Sequence, residues 1–169
     1  ISSPTNTHIK YINEGIKFNK TIFCEKPLDL NISKIIKTYK KIKKNKSRVQ
    51  MGFNRRYDPG HYAIKKDLDL GKIGILEKII ITSRDPAPPS KLYLKSSGGI
   101  FRDMMIHDFD LCRFYLKNDK IIEINAAATS FDPMYKKIND HELATVTMKS
   151  KKGVICVITN SRHCSFGYD

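Results

Sequence analysis

Over residues 5–19 the apolar positions Ile9, Ile12 and Ile16 recur three and four residues apart. That spacing predicts a helix, with Thr5 or Asn6 as its cap and Gly15 as a weak point. A short buried-type strand follows at 21–24, then a second helix over 30–46 with Asn31 as cap and Ile32, Ile35, Ile36, Tyr39 and Ile42 turned inward. The run at 48–53 reads as a second strand. Alternating helix, strand, helix, strand is the pattern of a parallel α/β sheet. Beyond residue 54 the pattern changes. A helix fits 57–70, a strand 75–84, a proline-rich break 85–90, and a helix 103–117 that starts after Gly98–Gly99. Three strands then come in succession, 121–131, 142–149 and 153–162, with 149–153 as a hairpin turn between the last two. The expectation is an α/β segment, 1–53, followed by an α+β domain, 54–169. The second domain would hold a mixed or antiparallel sheet with helices on one face.

Composition changes this picture little. The 169 residues carry a net charge of +14, which invites an anionic partner. Lysine supplies 24 of the basic residues and arginine 7, however, and phosphate-reading surfaces favour the planar arginine fork. A nucleic-acid module is therefore the weaker reading. The lysines of 34–46 fall largely opposite the apolar stripe, as on a solvated face. Four dispersed cysteines, Cys24, Cys112, Cys156 and Cys164, form no C-x-x-C pair and suit a reducing, cytoplasmic setting. No apolar run approaches the ~20 residues of a membrane span. The chain opens on ISSPTNTH without an initiating Met and closes just past a strand, so it reads as a segment of a longer protein.

Three stretches carry candidate chemistry. In "CEKP", Lys26 directly follows a buried strand, where open α/β sheets bind ligands, although a solvated turn lysine is equally at home there. In "GFNRRYDPG", Arg55 and Arg56 can clamp an anion or brace the domain junction. The third stretch, "GGIFRDMMIHDFDLCRF", places Asp103, His107 and Asp110 in an apolar run. On one continuous helix they would share a narrow stripe, about 40–60° wide. A carboxylate one turn before an imidazole can orient the ring and support it as a general base. The alternatives are a surface pair, or a metal site using Asp108 or Asp110, for which no second histidine cluster supplies ligands. Gly98–Gly99 would let a substrate approach the backbone. His61, His141 and His163 stand alone and read as structural or surface groups.

Taken in order, "SPTNTH", "IFCEKPLDL", "QMGFNRRYDP", "GGIFRDMMIHDFDLCRFYL" and "NSRHCSFGYD" resemble the successive signatures of the glucose–fructose oxidoreductase/inositol dehydrogenase (Gfo/Idh/MocA) family. The inositol 2-dehydrogenase branch is the most similar. The resemblance implies that 1–53 is the C-terminal part of a dinucleotide-binding Rossmann domain and 54–169 a substrate and oligomerisation domain, with a cleft between them. It implies an enzyme that passes hydride from a CH–OH group of inositol or a related polyol or sugar to NAD, or alternatively NADP. It further implies Lys26, Asp103 and His107 as catalytic residues, His107 being the base, and no metal. Ser3, Pro4, Thr5, His8, Glu25, Lys26 and Pro27 would cradle the cofactor. Lys26, Arg55, Arg56, Asp85, Asp103, His107 and Tyr168 would meet the substrate. Homo-oligomers through the second-domain sheet are implied as well. No G-x-G-x-x-G occurs in the chain, so this segment alone is expected to be inactive. An inactive relative that serves as a binding or scaffold protein is the alternative reading.

Overall fold

The computed structural model describes residues 1–167, which divide into two compact units at Asn54/Arg55. In the first unit, α1 (His8–Lys17), β1 (Ile22–Cys24), α2 (Ile32–Lys44) and β2 (Val49–Met51) follow one another, and β1 pairs β2 in parallel. A 3-10 turn over Thr5–Thr7 precedes α1, with no side-chain cap where Thr5 or Asn6 was expected. Asn31 does cap α2, accepting from the amides of Ser33 and Lys34. Gly15 is no blemish. A Cβ there would lie 2.6 Å from Ile22 Cδ1, so glycine lets α1 settle directly on β1. Ile12, Ile22 and Cys24 form the small core.

The inward face of α2 differs from the one expected. Thr38 is buried and Ile42 packs on the core, whereas Ile32, Ile36 and Tyr39 are exposed. Two three-residue strands are too narrow a floor to cover both apolar stripes of a 13-residue helix.

The second unit holds a four-stranded mixed sheet of order β3-β6-β5-β4, formed by β3 (Lys78–Arg84), β4 (Ile121–Thr129), β5 (Leu143–Ser150) and β6 (Ile155–Ser161). β3 runs parallel to β6, while β4–β5 and β5–β6 are antiparallel. Strict alternation in β5 buries Ala144, Val146 and Met148 and exposes Leu143, Thr145 and Thr147. Ile100, Met104, Met105, Cys112 and Leu116 cover the inner face.

α3 (Pro59–Asp69) starts where expected, capped by Asp58 with Pro59 in the first turn, the position proline tolerates. Two helices escaped the sequence reading: α4 (Lys91–Ser97), capped by Ser90 inside the proline-rich region, and α7 (Pro133–Lys137), capped by Asp132. Both are too short for helical periodicity to register. The helix expected over 103–117 is in fact two, α5 (Ile100–Asp103) and α6 (Ile106–Leu116). Among the described residues no helix is long and apolar enough to cross a membrane.

Candidate functional site

The break between α5 and α6 rearranges the three ionisable groups. The Met104 amide bonds the Ile100 carbonyl four residues back, but the Met105 amide bonds the same carbonyl five residues back, at 2.9 Å. Such a widened turn carries an extra residue and rotates everything beyond it about the axis. The segment is thus two helices rather than one, and each of the acids Asp103, Asp108 and Asp110 has its own cation.

Asp103 is buried at the end of α5. Tyr93 Oη of α4 donates to its Oδ1 at 2.5 Å, and both terminal nitrogens of Arg162 reach its Oδ2 at 3.3 Å. Burial and the hydrogen bond to Asp103 push the Tyr93 phenol far above its ordinary range, and the charge of Asp85 adds to this. Asp108, fully buried, accepts from Arg55, from Ser83 Oγ at 2.9 Å and from Asn160 Nδ2 at 2.8 Å. Asp110 holds Arg56 through two bonds of 2.5 and 2.6 Å. The hydrogen bond raises the guanidinium further, and the Arg56 group lies over the Phe114 ring. His107 enters α6 in its first turn, half-buried, with Nδ1 out of solvent.

The glycine pair has a backbone reason of its own. Gly98 and Gly99 have φ of 90° and 83°, which side chains rarely adopt, and a Cβ on Gly99 would sit 2.8 Å from Asp140 Oδ1. Asp140 uses that oxygen to accept from the amide of Ile100, the first residue of α5, at 2.9 Å. Gly99→Ala combines a strained φ with a collision against this carboxylate. We expect it to cost roughly 2–3 kcal/mol, read from chemical denaturation.

In the first unit the expected cofactor residues do converge. Ile1 lies along β1, its nitrogen donating to Phe23 O and its carbonyl accepting from the Glu25 amide. Residues 1–8 thus wrap the carboxyl end of β1, beside Glu25, Lys26 and Pro27. His8 is buried and ties the two loops together, Nε2 lying 2.8 Å from Ser3 O and Nδ1 2.8 Å from Pro27 O. Its ring shapes the cradle rather than presenting a free edge. Ser3 Oγ meets Thr7 Oγ1 at 2.6 Å, and the Lys26–Pro27 peptide is cis. Asp85 follows β3, its amide bonded to Ser161 O, at the end of the sheet that also carries Arg162. Tyr168 lies outside the described residues. Arg162, Tyr93 and Asp140 went unrecognised in the sequence. The one available signal was an arginine placed where the apolar alternation of the last strand runs on, as in "ITNSRHC". Among the described residues no group of three or more His, Cys, Asp or Glu gathers to hold a metal ion.

Comparison with known proteins places this geometry. Residues 61–169 match the GFO/IDH/MocA C-terminal domain, and residues 1–53 match the oxidoreductase family with NAD-binding Rossmann fold. The chain belongs to the GFO/IDH/MocA oxidoreductase family. It is 41% identical to the inositol 2-dehydrogenase of Rhizobium meliloti, over all of this chain and 51% of that protein. To the myo-inositol 2-dehydrogenase of Thermotoga maritima it is 40% identical, again over all of this chain and 51% of the relative. The crystal structure of a myo-inositol dehydrogenase from Corynebacterium glutamicum superposes with a TM-score of 0.93 at 43% identity, covering 99% of this chain and 50% of that one. A scyllo-inositol dehydrogenase from Lactobacillus casei, with bound NAD(H) and scyllo-inositol, gives 0.83 at 28% identity, covering 99% and 51%. The chain spans about half the length of the curated relatives it matches.

Proposed function

We propose that the protein containing this chain is a nicotinamide-dependent dehydrogenase that oxidises a secondary alcohol of inositol or a closely related polyol. The observation that carries this reading is the acid–imidazole segment. Asp103 is fixed by two donors four residues ahead of His107, in a chain whose relatives are named inositol dehydrogenases. His107 takes the hydroxyl proton as the carbonyl forms. Asp103, its orientation set by Tyr93 and Arg162, accepts from a neighbouring substrate hydroxyl and keeps the polyol turned toward the base. The ammonium of Lys26, at the carboxyl end of β1, stabilises the developing alkoxide. Asp85 and Tyr168 complete the polyol contacts, and Arg55 and Arg56 hold the entry to α6 in place through Asp108 and Asp110.

Residues 1–53 would be the C-terminal part of the nucleotide-binding domain and 54–169 the substrate domain. Ser3, Pro4, Thr5, Glu25, Lys26 and Pro27, with His8 bonded to the Ser3 and Pro27 carbonyls, would hold one end of a dinucleotide. When bound there, NAD supplies the acceptor for the hydride that leaves the carbinol carbon. NAD is favoured over NADP by the NAD(H)-bound structural relative. The free thiols of the chain suit a reducing, cytoplasmic compartment.

The test is to incubate the complete product of the gene with NAD or NADP and a panel of inositols, hexitols and sugars. The reading requires NADH to appear with at least one cyclic polyol. No turnover with any member would overturn it.

The uncovered face of the sheet carries Ile80, Ala127, Leu143, Thr145, Thr147 and Ile155, and at one end of it Ala127, Leu143, Thr145 and Thr159 line a depression of about 380 Å³. We assign this face to contact between copies of the protein. Replacing Thr145 and Thr147 together by glutamate is expected to lower the oligomeric state in sedimentation velocity while leaving the fold intact by circular dichroism.

A further inference from the structure

Arg162 is the largest fully buried side chain among the described residues. It directly follows β6, and its amide bonds Glu142 O at 2.9 Å, which anchors the backbone to the sheet. From that point the guanidinium reaches two acids. Both terminal nitrogens lie 3.3 Å from Asp103 Oδ2, and one lies 3.8 Å from Asp140 Oδ2. These two carboxylates bracket a single element: Asp140 accepts from the amide of Ile100 where α5 begins, and Asp103 is the residue on which α5 ends. One cation thus fixes both ends of the turn that delivers Asp103. Tyr93 completes the arrangement from the other side by donating to Oδ1. A buried carboxylate held by a guanidinium on one oxygen and a phenol on the other has a single orientation.

We propose that Arg162 is a positioning residue, which acts through Asp103 to set the carboxylate that receives the polyol hydroxyl, with Tyr93 as its half-exposed counterpart. The inference rests on the dehydrogenase reading for its consequence in catalysis, while its structural content stands on the contacts alone. A cation that merely filled the core would be replaceable by any side chain of similar volume. One that fixes Asp103 is replaceable only by another cation.

The experiment compares Arg162→Lys, Arg162→Met and Tyr93→Phe in the complete gene product. Arg162→Met is expected to lower kcat/KM for the polyol at least 100-fold with the KM for NAD unchanged. Arg162→Lys should recover most of that loss, within about tenfold of wild type. Tyr93→Phe should raise the polyol KM several-fold and leave kcat within about threefold. Equal losses for the Lys and Met variants, or a loss confined to the KM for NAD, would overturn the proposal.

A second measurement needs no activity. Thermal unfolding of Arg162→Met is recorded beside Asp103→Asn and the double variant. Coupling requires the double variant to lose clearly less than the sum of the singles, because each single strands a buried charge. Strict additivity would show that Arg162 does not act through Asp103, whether or not a polyol turns over. Absence of wild-type turnover with coupling present would instead remove the dehydrogenase reading and leave the contact standing.

Discussion

His107→Ala in the complete gene product is expected to lower kcat for the polyol by about 10²–10⁴-fold, the range a positioned general base contributes. The physical reason lies in the reaction itself. A secondary alcohol loses hydride readily only as its hydroxyl proton departs, and water is a poor and badly placed acceptor. Affinity for NAD should stay within about twofold of wild type, because the cradle assigned to the cofactor belongs to residues 3–27. Fluorescence titration with NADH and steady-state kinetics on the same preparation separate the two effects. If kcat falls less than tenfold, another group takes the proton and His107 has a supporting place only.

The largest stability effect is expected not at the candidate base but one residue further on. Asp108 is wholly buried and accepts from three donors on three elements: Arg55 before α3, Ser83 on β3 and Asn160 on β6. Asp108→Ala leaves the Ser83 hydroxyl and the Asn160 amide buried without their acceptor and takes the partner from the Arg55 guanidinium. Breaking a buried pair from one side costs roughly 3–5 kcal/mol. In a domain of this size that is a fall in Tm of about 10 °C or more.

The neighbouring pair provides the internal control. Arg56–Asp110 has better two-point geometry, and the two arginines are similarly exposed, at 37% and 30%, but Asp108 is wholly buried with two further side-chain donors, whereas Asp110 faces Arg56 at the edge of solvent. Asp110→Ala should accordingly cost about 1 kcal/mol or less. Differential scanning calorimetry of both variants decides the matter. Equal losses would mean that exposure does not govern these pairs and that the ranking is wrong.

Much of this could be read from the chain, and the parts that could not share a cause. The strand at 142–149 and the cap at Asn31 are local properties, written in residues that touch one another, and both appear in the structure as expected. So does the mixed sheet, since strands arriving in a run leave few ways to pair. The segment 103–117 reads as one unbroken helix, and the structure divides it in two. Nothing in "RDMMIHDFD" announces that the Met105 amide will bond the Ile100 carbonyl, or that the Ile100 amide will be held by Asp140, 40 residues away in sequence. The partners of the three acids are equally distant. Arg162 stands 59 residues from Asp103, and Arg55 stands 53 from Asp108. Charge pairing across a fold leaves no periodic trace. What the sequence did disclose was the imbalance: Asp103, His107 and Asp110, three ionisable groups within eight residues of an apolar run, need partners or a use.

The exposed stripe Ile32–Ile36–Tyr39 makes the same point from the opposite direction. Periodicity marked those residues as inward, and they would be so against a wider sheet than the two strands described. Pattern reports what a side chain is suited to, whereas burial depends on what lies opposite.

The central claim is that hydride leaves a ring carbon of a cyclic polyol for the nicotinamide. Incubating the complete gene product with NAD and inositol deuterated at its carbinol carbons tests this most directly, with the isolated dinucleotide examined by mass spectrometry and proton NMR. The account predicts one deuterium on the reduced nicotinamide, on a single face, together with slower turnover than with unlabelled inositol. Reduced dinucleotide without deuterium, or label released to water, would contradict it.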